Sequence, residues 1–288
     1  MRQSFRTLTF TWSFFISVFL INQENYVHTS WVPISKERIL QGNFEPRPMF
    51  STIYYISTTG NDANSGTSIS TPWQHIEKIA SVSFVAGDIV YIRAGTYNST
   101  AASSVSHCIQ LTSQNGNSSN HITISAYPDD FHTTGGRVTF NCTNVAHDDD
   151  CFGITLTSCS WIDFSGIYVK GPSQTVGGGL GDGTINGSWW SRSSSNIIYA
   201  NCEASNSMTG FRLDDGVSCN YLNCDAHDCD DPLTGGTTGP HNNSDGFGRT
   251  ASGNTATGTT YFGCRSWYNA DDGWDCFNTS GKPISPET

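Results

Sequence analysis

Positive charge is the scarcest component of this sequence. Fourteen lysines and arginines stand against 25 acidic residues among 288, a formal charge of -11. Neutralising the phosphates of a nucleic acid takes a clustered basic surface, so a nucleic-acid partner is excluded. Charge of either sign is sparse, at 14% of residues, which leaves little to cover the polar faces of long amphipathic helices. Long apolar runs are missing as well. The one extended hydrophobic stretch, Leu8 to Ile21, is short and broken by threonine and serine, too little for a comfortable membrane span. What is abundant is glycine, serine, threonine and asparagine, a composition suited to many short strands joined by turns.

Arg2 and Arg6 precede the apolar stretch as in a secretory signal, so residues 1–24 read as a signal peptide and the protein as secreted. No A-x-A-like cleavage site follows, which leaves a retained membrane anchor as the alternative. Ten cysteines fit an oxidising compartment in which some pair, Cys219 and Cys229 being the stronger disulfide candidates because they flank a loop. Six N-x-S/T sequons begin at Asn98, Asn117, Asn141, Asn186, Asn242 and Asn278, compatible with a glycoprotein secreted from a eukaryotic cell. In so asparagine- and serine-rich a chain, several arise by chance.

Residues 25–50 lack periodicity and contain Pro33, Pro46 and Pro48, the marks of a linker. Order begins with the β-branched and aromatic run Ile53-Tyr54-Tyr55-Ile56, followed by turn chemistry at Gly60-Asn61-Asp62 and Asn64-Ser65-Gly66. Thr71 to Ala80 is the one good helix candidate, with Thr71 as cap and Pro72 in the first turn. A short helix there would cover the open end of a solenoid.

From Trp161 onward the chain repeats. Ile198-Tyr199-Ala200-Asn201-Cys202 aligns with Asn220-Tyr221-Leu222-Asn223-Cys224 and with Thr260-Tyr261-Phe262-Gly263-Cys264, and Trp161 to Ile167 is a less regular earlier copy. Cys202 and Cys224 are 22 positions apart, whereas Cys224 and Cys264 are 40 apart, the excess being read as a loop inserted around Asp230–Asn242. A period in the low twenties built on short alternating strands predicts an all-β, single-stranded parallel β-helix over residues 51–288. The repeated cysteines need no function: they read as small apolar residues stacked in the core.

A second repeat runs out of phase with the first. Thr209-Gly210-Phe211-Arg212, Asp245-Gly246-Phe247-Gly248 and Asp272-Gly273-Trp274-Asp275 share an X-Gly-aromatic-X pattern. In this register Asp245 and Asp272 occupy one angular position on adjacent coils, with Asp271 and Asp275 beside them. One Asp-Gly pair alone is ordinary turn chemistry. Two stacked pairs with two further aspartates are not. Four converging carboxylates repel unless a cation compensates, and hard oxygen ligands select calcium over zinc. Asp148-Asp149-Asp150, Asp214-Asp215 and Asp230-Asp231 have no stacked acidic partner and read as solvated loops, with Asp230 or Asp231 possible at the rim; His241 reads as a surface residue. Arg212 and Arg249 fall near the patch.

Two stretches also carry a resemblance. Tyr54 to Gly66, Thr71-Pro72-Trp73 and Gly87-Asp88 to Gly95-Thr96-Tyr97 resemble the opening segment of many secreted right-handed β-helix proteins. Asn243 to Phe247 and Gly263 to Asp275 resemble the calcium-site region of the family 9 polysaccharide lyases, which cleave pectate. The resemblance implies a right-handed β-helix, calcium as cofactor, an acidic polysaccharide such as pectate as partner, and Asp245, Asp271, Asp272 and Asp275 as the metal-binding aspartates. It implies β-elimination, in which a cation neutralises the uronate and acidifies its C5 proton while the C4 oxygen leaves. The family's base is a lysine on a coil beyond the calcium site. The chain ends thirteen residues after Asp275, and Lys282 lies too near that aspartate to match. The expectation is therefore a solenoid incomplete at its C-terminus, carrying the metal site without the base, with no catalytic residue identified. The rival is a non-catalytic glycan-binding or surface protein holding a structural calcium. A glycosidase would need an acid/base carboxylate pair at a set separation rather than a crowd. The protein is expected to act as a monomer without stable membrane association.

Overall fold

A computed structural model describes residues 51–100, 107–130, 136–145, 151–172, 186–234, 239–251 and 258–278. The segments read as signal peptide and linker, Asp148-Asp149-Asp150 and Lys282 lie outside the described residues. No helix among the described residues is long and apolar enough to cross a membrane.

The chain winds through three parallel sheets in fixed rotation. The first sheet has seven strands: Ile53–Ile56, Ile89–Ile92, Ile122–Ala126, Ser160–Ser165, Ser195–Ala200, Asn220–Leu222 and Thr260–Phe262. The second has six: Gly95–Asn98, Val138–Asn141, Ile167–Lys170, Glu203–Ser205, Asp225–His227 and Arg265–Trp267. The third, also of six, comprises His107–Thr112, Cys151–Thr157, Asn186–Arg192, Thr209–Asp214, Phe247–Ala251 and Trp274–Asn278. Each strand pairs with its counterparts one coil before and after, which makes the molecule a parallel β-helix.

Side-chain alternation makes such a coil closed and dry. Inward positions stack into ladders, because neighbouring strands sit roughly 4.8 Å apart in register. Phe164, Tyr199, Tyr221 and Tyr261 form one ladder, with ring centroids 5.5, 4.9 and 4.8 Å apart and planes within 10°. Trp189, Phe211, Phe247 and Trp274 form a second at 5.8, 5.1 and 4.2 Å. The two ladders meet edge to face, as Phe247 does with Tyr221 and Tyr261. Each such aromatic pair contributes about 0.5–1.5 kcal/mol beyond its buried area. The repeated cysteines lie inside as expected, Cys202 and Cys224 fully buried. All ten cysteines are free, so the pairing expected of Cys219 and Cys229 is not formed: their thiols face separate backbone carbonyls, Ser194 and Val217 for one, His227 for the other.

In the four later coils the bend between first and second sheets is made by a left-handed residue. Gly166, Asn201, Asn223 and Gly263 fill that position, with φ of 68°, 53°, 52° and 66°. Glycine and asparagine are the residues that enter this region at least cost. The asparagine also shapes its neighbour, since a Cβ on Gly263 would sit 2.2 Å from Asn223 Oδ1.

The capping helix is present but shorter and later than the sequence suggests. It is a 3-10 helix over Ile76–Ser81, packed against the first strand of the third sheet, with Ile76 and Ile79 buried. Thr71 does not cap it. Trp73 is drawn into sheet pairing instead: its N–H donates to the Tyr55 carbonyl at 2.9 Å and its ring stacks on Tyr54 at 5.0 Å. Asp62 takes over at the helix entrance, accepting the backbone N–H groups of Gln74 and His75.

A candidate metal centre between two coils

The loops joining the second sheet to the third carry the acidic residues. From Cys224 to Cys264 the coil is longer than its predecessor mainly here: four positions separate Ser205 from Thr209, but eighteen separate the equivalent His227 and Asp245. The insertion therefore sits immediately upstream of Asp245.

The out-of-phase repeat is in register. Phe247 pairs with Trp274 and Gly248 with Asp275. The Gly246 N–H donates to the Asp272 carbonyl at 3.0 Å, and the Gly210 N–H to the Asp245 carbonyl at 2.9 Å. Thr209, Asp245 and Asp272 thus stand on successive rungs. Carboxylate oxygens of Asp245, Asp271 and Asp272 all lie within 4.8 Å of one another. Asp275 projects outward one rung past Gly248, where the absent side chain leaves the face open: a Cβ at Gly248 would lie 3.7 Å from Asp245 Oδ2. The four aspartates singled out from the sequence share one patch.

Glycine and polar side chains hold the Asp271-Asp272 loop. Asn269 Nδ2 donates to Ser266 Oγ at 2.7 Å, Ser266 Oγ donates to the Gly273 carbonyl at 3.0 Å, and Asn269 Oδ1 accepts the Cys229 N–H at 3.2 Å. Gly246 is required by that network, since a Cβ there would fall 2.0 Å from Ser266 Oγ and 2.8 Å from the Gly273 carbonyl.

Electrostatically the patch is uncompensated. Arg93, Arg212 and Arg265 neutralise Asp130, Asp214 and Asp225, whereas none of the four clustered aspartates enters an ion pair among the described residues. Burial pushes the Asp245 carboxyl up to about 7, with the charges of Asp275, Asp271 and Asp272 adding to it. Asp271 is raised by burial and by Asp272 and Asp231; Asp275 is raised by burial and by Asp272 and Asp271.

Asp231 is the residue that sequence reasoning undervalued. It is fully buried, not a solvated loop residue or a rim group. Its Oδ1 accepts a 2.5 Å hydrogen bond from the buried Ser244 hydroxyl, while Oδ2 has no hydrogen-bond partner among the described residues. Ser244 in turn offers its carbonyl to the Asp271 N–H at 3.2 Å and precedes Asp245, so Asp231 is tied to both arms of the cluster. Its neighbour Asp230 is exposed and pairs with His241 at 2.6 Å, in keeping with a surface histidine. The two arginines near the patch differ. Arg212 lies on the outer face, while alternation turns Arg249 into the core, where it is 5% exposed. An all-oxygen donor set, an orphaned buried carboxylate oxygen and a carboxyl pushed toward neutrality together fit a hard divalent cation, for which calcium's flexible coordination is suited.

Residues 54–286 match the family model described as the Pel9A-like, right handed beta helix region. The chain belongs to that family. The coils of this Pel9A-like chain are accordingly right-handed. It is 26% identical to pectate lyase L of Dickeya dadantii over 235 residues, covering 81% of this chain and 48% of that protein. Identity to pectate lyase L of Dickeya chrysanthemi is 25% over the same length. Among solved structures, a rhamnogalacturonan lyase superposes with TM-score 0.63 at 27% identity, covering 77% of this chain and 53% of that one. Pectate lyase Pel9A superposes with TM-score 0.59 at 21% identity, a likeness of fold. The chain spans about half the length of the relatives it matches.

Proposed function

We propose that the protein is a secreted, calcium-dependent polysaccharide lyase acting on pectate or a related uronan by β-elimination. The observation that carries this reading is the convergence of Asp245, Asp271 and Asp272 to within 4.8 Å on the outer surface of two consecutive coils, with Asp275 alongside. These four carboxylates would hold calcium, with water and a sugar carboxylate completing six to eight oxygens. When bound, calcium would neutralise the uronate carboxylate and so acidify the adjacent C5 proton. It would also let a protein of charge -11 retain a polyanion. The chain's own part is positioning: Ser266 and Asn269 fix the Asp271-Asp272 loop, and open Gly248 leaves a floor on which a sugar ring can lie.

Elimination also needs a base for the C5 proton. The described lysines are Lys78, on the capping helix, and Lys170, on the second sheet three rungs before Trp267, and neither stands on the face that carries the aspartates. That placement supports a second reading, in which the chain holds calcium and binds an acidic glycan without cleaving it. Absorbance of the unsaturated product on polygalacturonate, with and without chelator, separates the two. Calcium-dependent product supports the lyase. Calcium-dependent thermal stabilisation with no product supports the binder, and no response to calcium of either kind sinks both.

A further inference from the structure

We propose that Arg212 is a carboxylate-recognition residue of the same surface, receiving the acid group of a sugar neighbouring the one held at the aspartates. The inference rests on the acidic-polysaccharide reading above and extends it to a residue with no assigned role.

Position comes first. Arg212, Gly248 and Asp275 are successive partners in one outward ladder of the third sheet, which also contains Gln110, Thr155 and Trp190. Arg212 is the only cation in that ladder. Two rungs separate it from Asp275, roughly 10 Å at the inter-strand spacing, the scale of an oligosaccharide rather than a single sugar. Between them the bare Gly248 rung raises no obstacle.

Orientation comes second. Among the described residues Arg212 contacts protein polar groups only through its Nε, 3.1 and 3.0 Å from the two oxygens of Asp214. Asp214 is itself pinned by the Trp190 indole N–H at 2.8 Å, and that 6% exposed ring is stacked on Phe152 at 4.7 Å. The guanidinium is thereby held 5.8 Å from the Trp190 ring centre. Neither terminal nitrogen has a hydrogen-bond partner among the described residues. A guanidinium braced through Nε presents those two nitrogens as the fork that binds a carboxylate bidentately. The bland alternative is a surface ion pair with Asp214. Such a pair contributes little by itself, and it accounts neither for the buried indole that fixes Asp214 nor for the idle fork.

Charge gives the reason for a cation here. Beyond the ion at the aspartates, an acidic polymer would meet a protein of strongly negative net charge. Exposed Arg192, with its guanidinium 5.1 Å from the Trp190 ring centre, brings a second cation to the surface the polymer would follow.

The test is isothermal titration of the full calcium-loaded chain with an oligogalacturonate and with its methyl-esterified counterpart. Wild type, Arg212→Gln, Arg212→Lys and Arg265→Gln are compared, the last removing an arginine paired with Asp225 on the second sheet. Arg212→Gln is expected to weaken binding of the charged oligomer by roughly 10- to 100-fold, as for loss of charge-assisted hydrogen bonds. Calcium affinity and binding of the ester stay unchanged, Arg212→Lys recovers part of the loss, and Arg265→Gln matches wild type. Unchanged binding of the charged oligomer by Arg212→Gln overturns the assignment and leaves the calcium reading standing. Equal losses for charged and esterified oligomers also overturn it, by marking the residue as structural. Failure of calcium-loaded wild type to bind any charged oligomer sinks the acidic-polysaccharide reading and this inference with it.

Discussion

Replacing Asp245 by asparagine should make the metal-free protein more stable and deprive it of its response to calcium. The Asp245 carboxyl is raised from 3.8 to about 7, chiefly by burial and then by the three neighbouring charges. A carboxyl raised on folding keeps its proton in the folded chain after the unfolded chain has lost it. Its contribution to stability is therefore full below about pH 3.8 and is lost progressively as pH rises through about 7. Three units at 1.36 kcal/mol each give an upper bound of ~4 kcal/mol, which partial exposure and salt reduce. Asparagine is nearly isosteric, carries no charge and keeps an acceptor for the Asp272 backbone N–H. Urea unfolding in chelator at pH 8 should show the variant ahead by about 1–4 kcal/mol, with the gap closing by pH 4. At calcium concentrations 100-fold above the dissociation constant, wild type gains about 2.7 kcal/mol and the variant little. A variant less stable than wild type in chelator at pH 8, or one stabilised by calcium as wild type is, would refute the argument that these carboxylates form an uncompensated cation site.

The same shift predicts that calcium affinity falls as pH is lowered through about 7, because the proton on Asp245 competes with the ion; titrations giving one affinity at pH 5.5 and pH 8 would contradict it. Asp231→Asn keeps an acceptor for Ser244 but removes the buried charge near Asp271, and calcium affinity should drop about 10- to 100-fold, as for residues behind a metal's direct ligands. Equal affinity by calorimetry would show that the orphaned oxygen is irrelevant to the ion. Gly246→Ala forces a methyl group onto Ser266 Oγ and the Gly273 carbonyl, so the midpoint of thermal unfolding should fall by an amount corresponding to about 1–3 kcal/mol. An unchanged midpoint would mean that the loop relaxes freely.

Much of this architecture is legible in the sequence because a solenoid writes its core as a repeat. The tyrosines and cysteines recur at inward positions of successive coils, and the X-Gly-aromatic-X pattern fixes Asp245 over Asp272 once the insertion is allowed for. Features outside the repeat are harder to read. Asp231 lies within the inserted loop, where no neighbouring coil supplies a partner to align it, and its importance is a matter of burial. Thr71-Pro72 carries every local signal of a helix start, yet the pairing of Trp73 with the first strand overrides them. Arg212 and Arg249 look alike as sequence neighbours of the patch. Only the parity of the strand shows that one faces solvent and the other the core.

The cluster draws its carboxylates from two consecutive windings of the chain rather than from a single loop. Solenoids fray winding by winding, since each rests only on its neighbours. An ion gripping both would act as a rivet, so that peeling residues 260–278 away from 220–250 would first require its release. Backbone amides of that stretch should then exchange more slowly with calcium than without, which makes the acidic cluster also a lock on the coil that carries it.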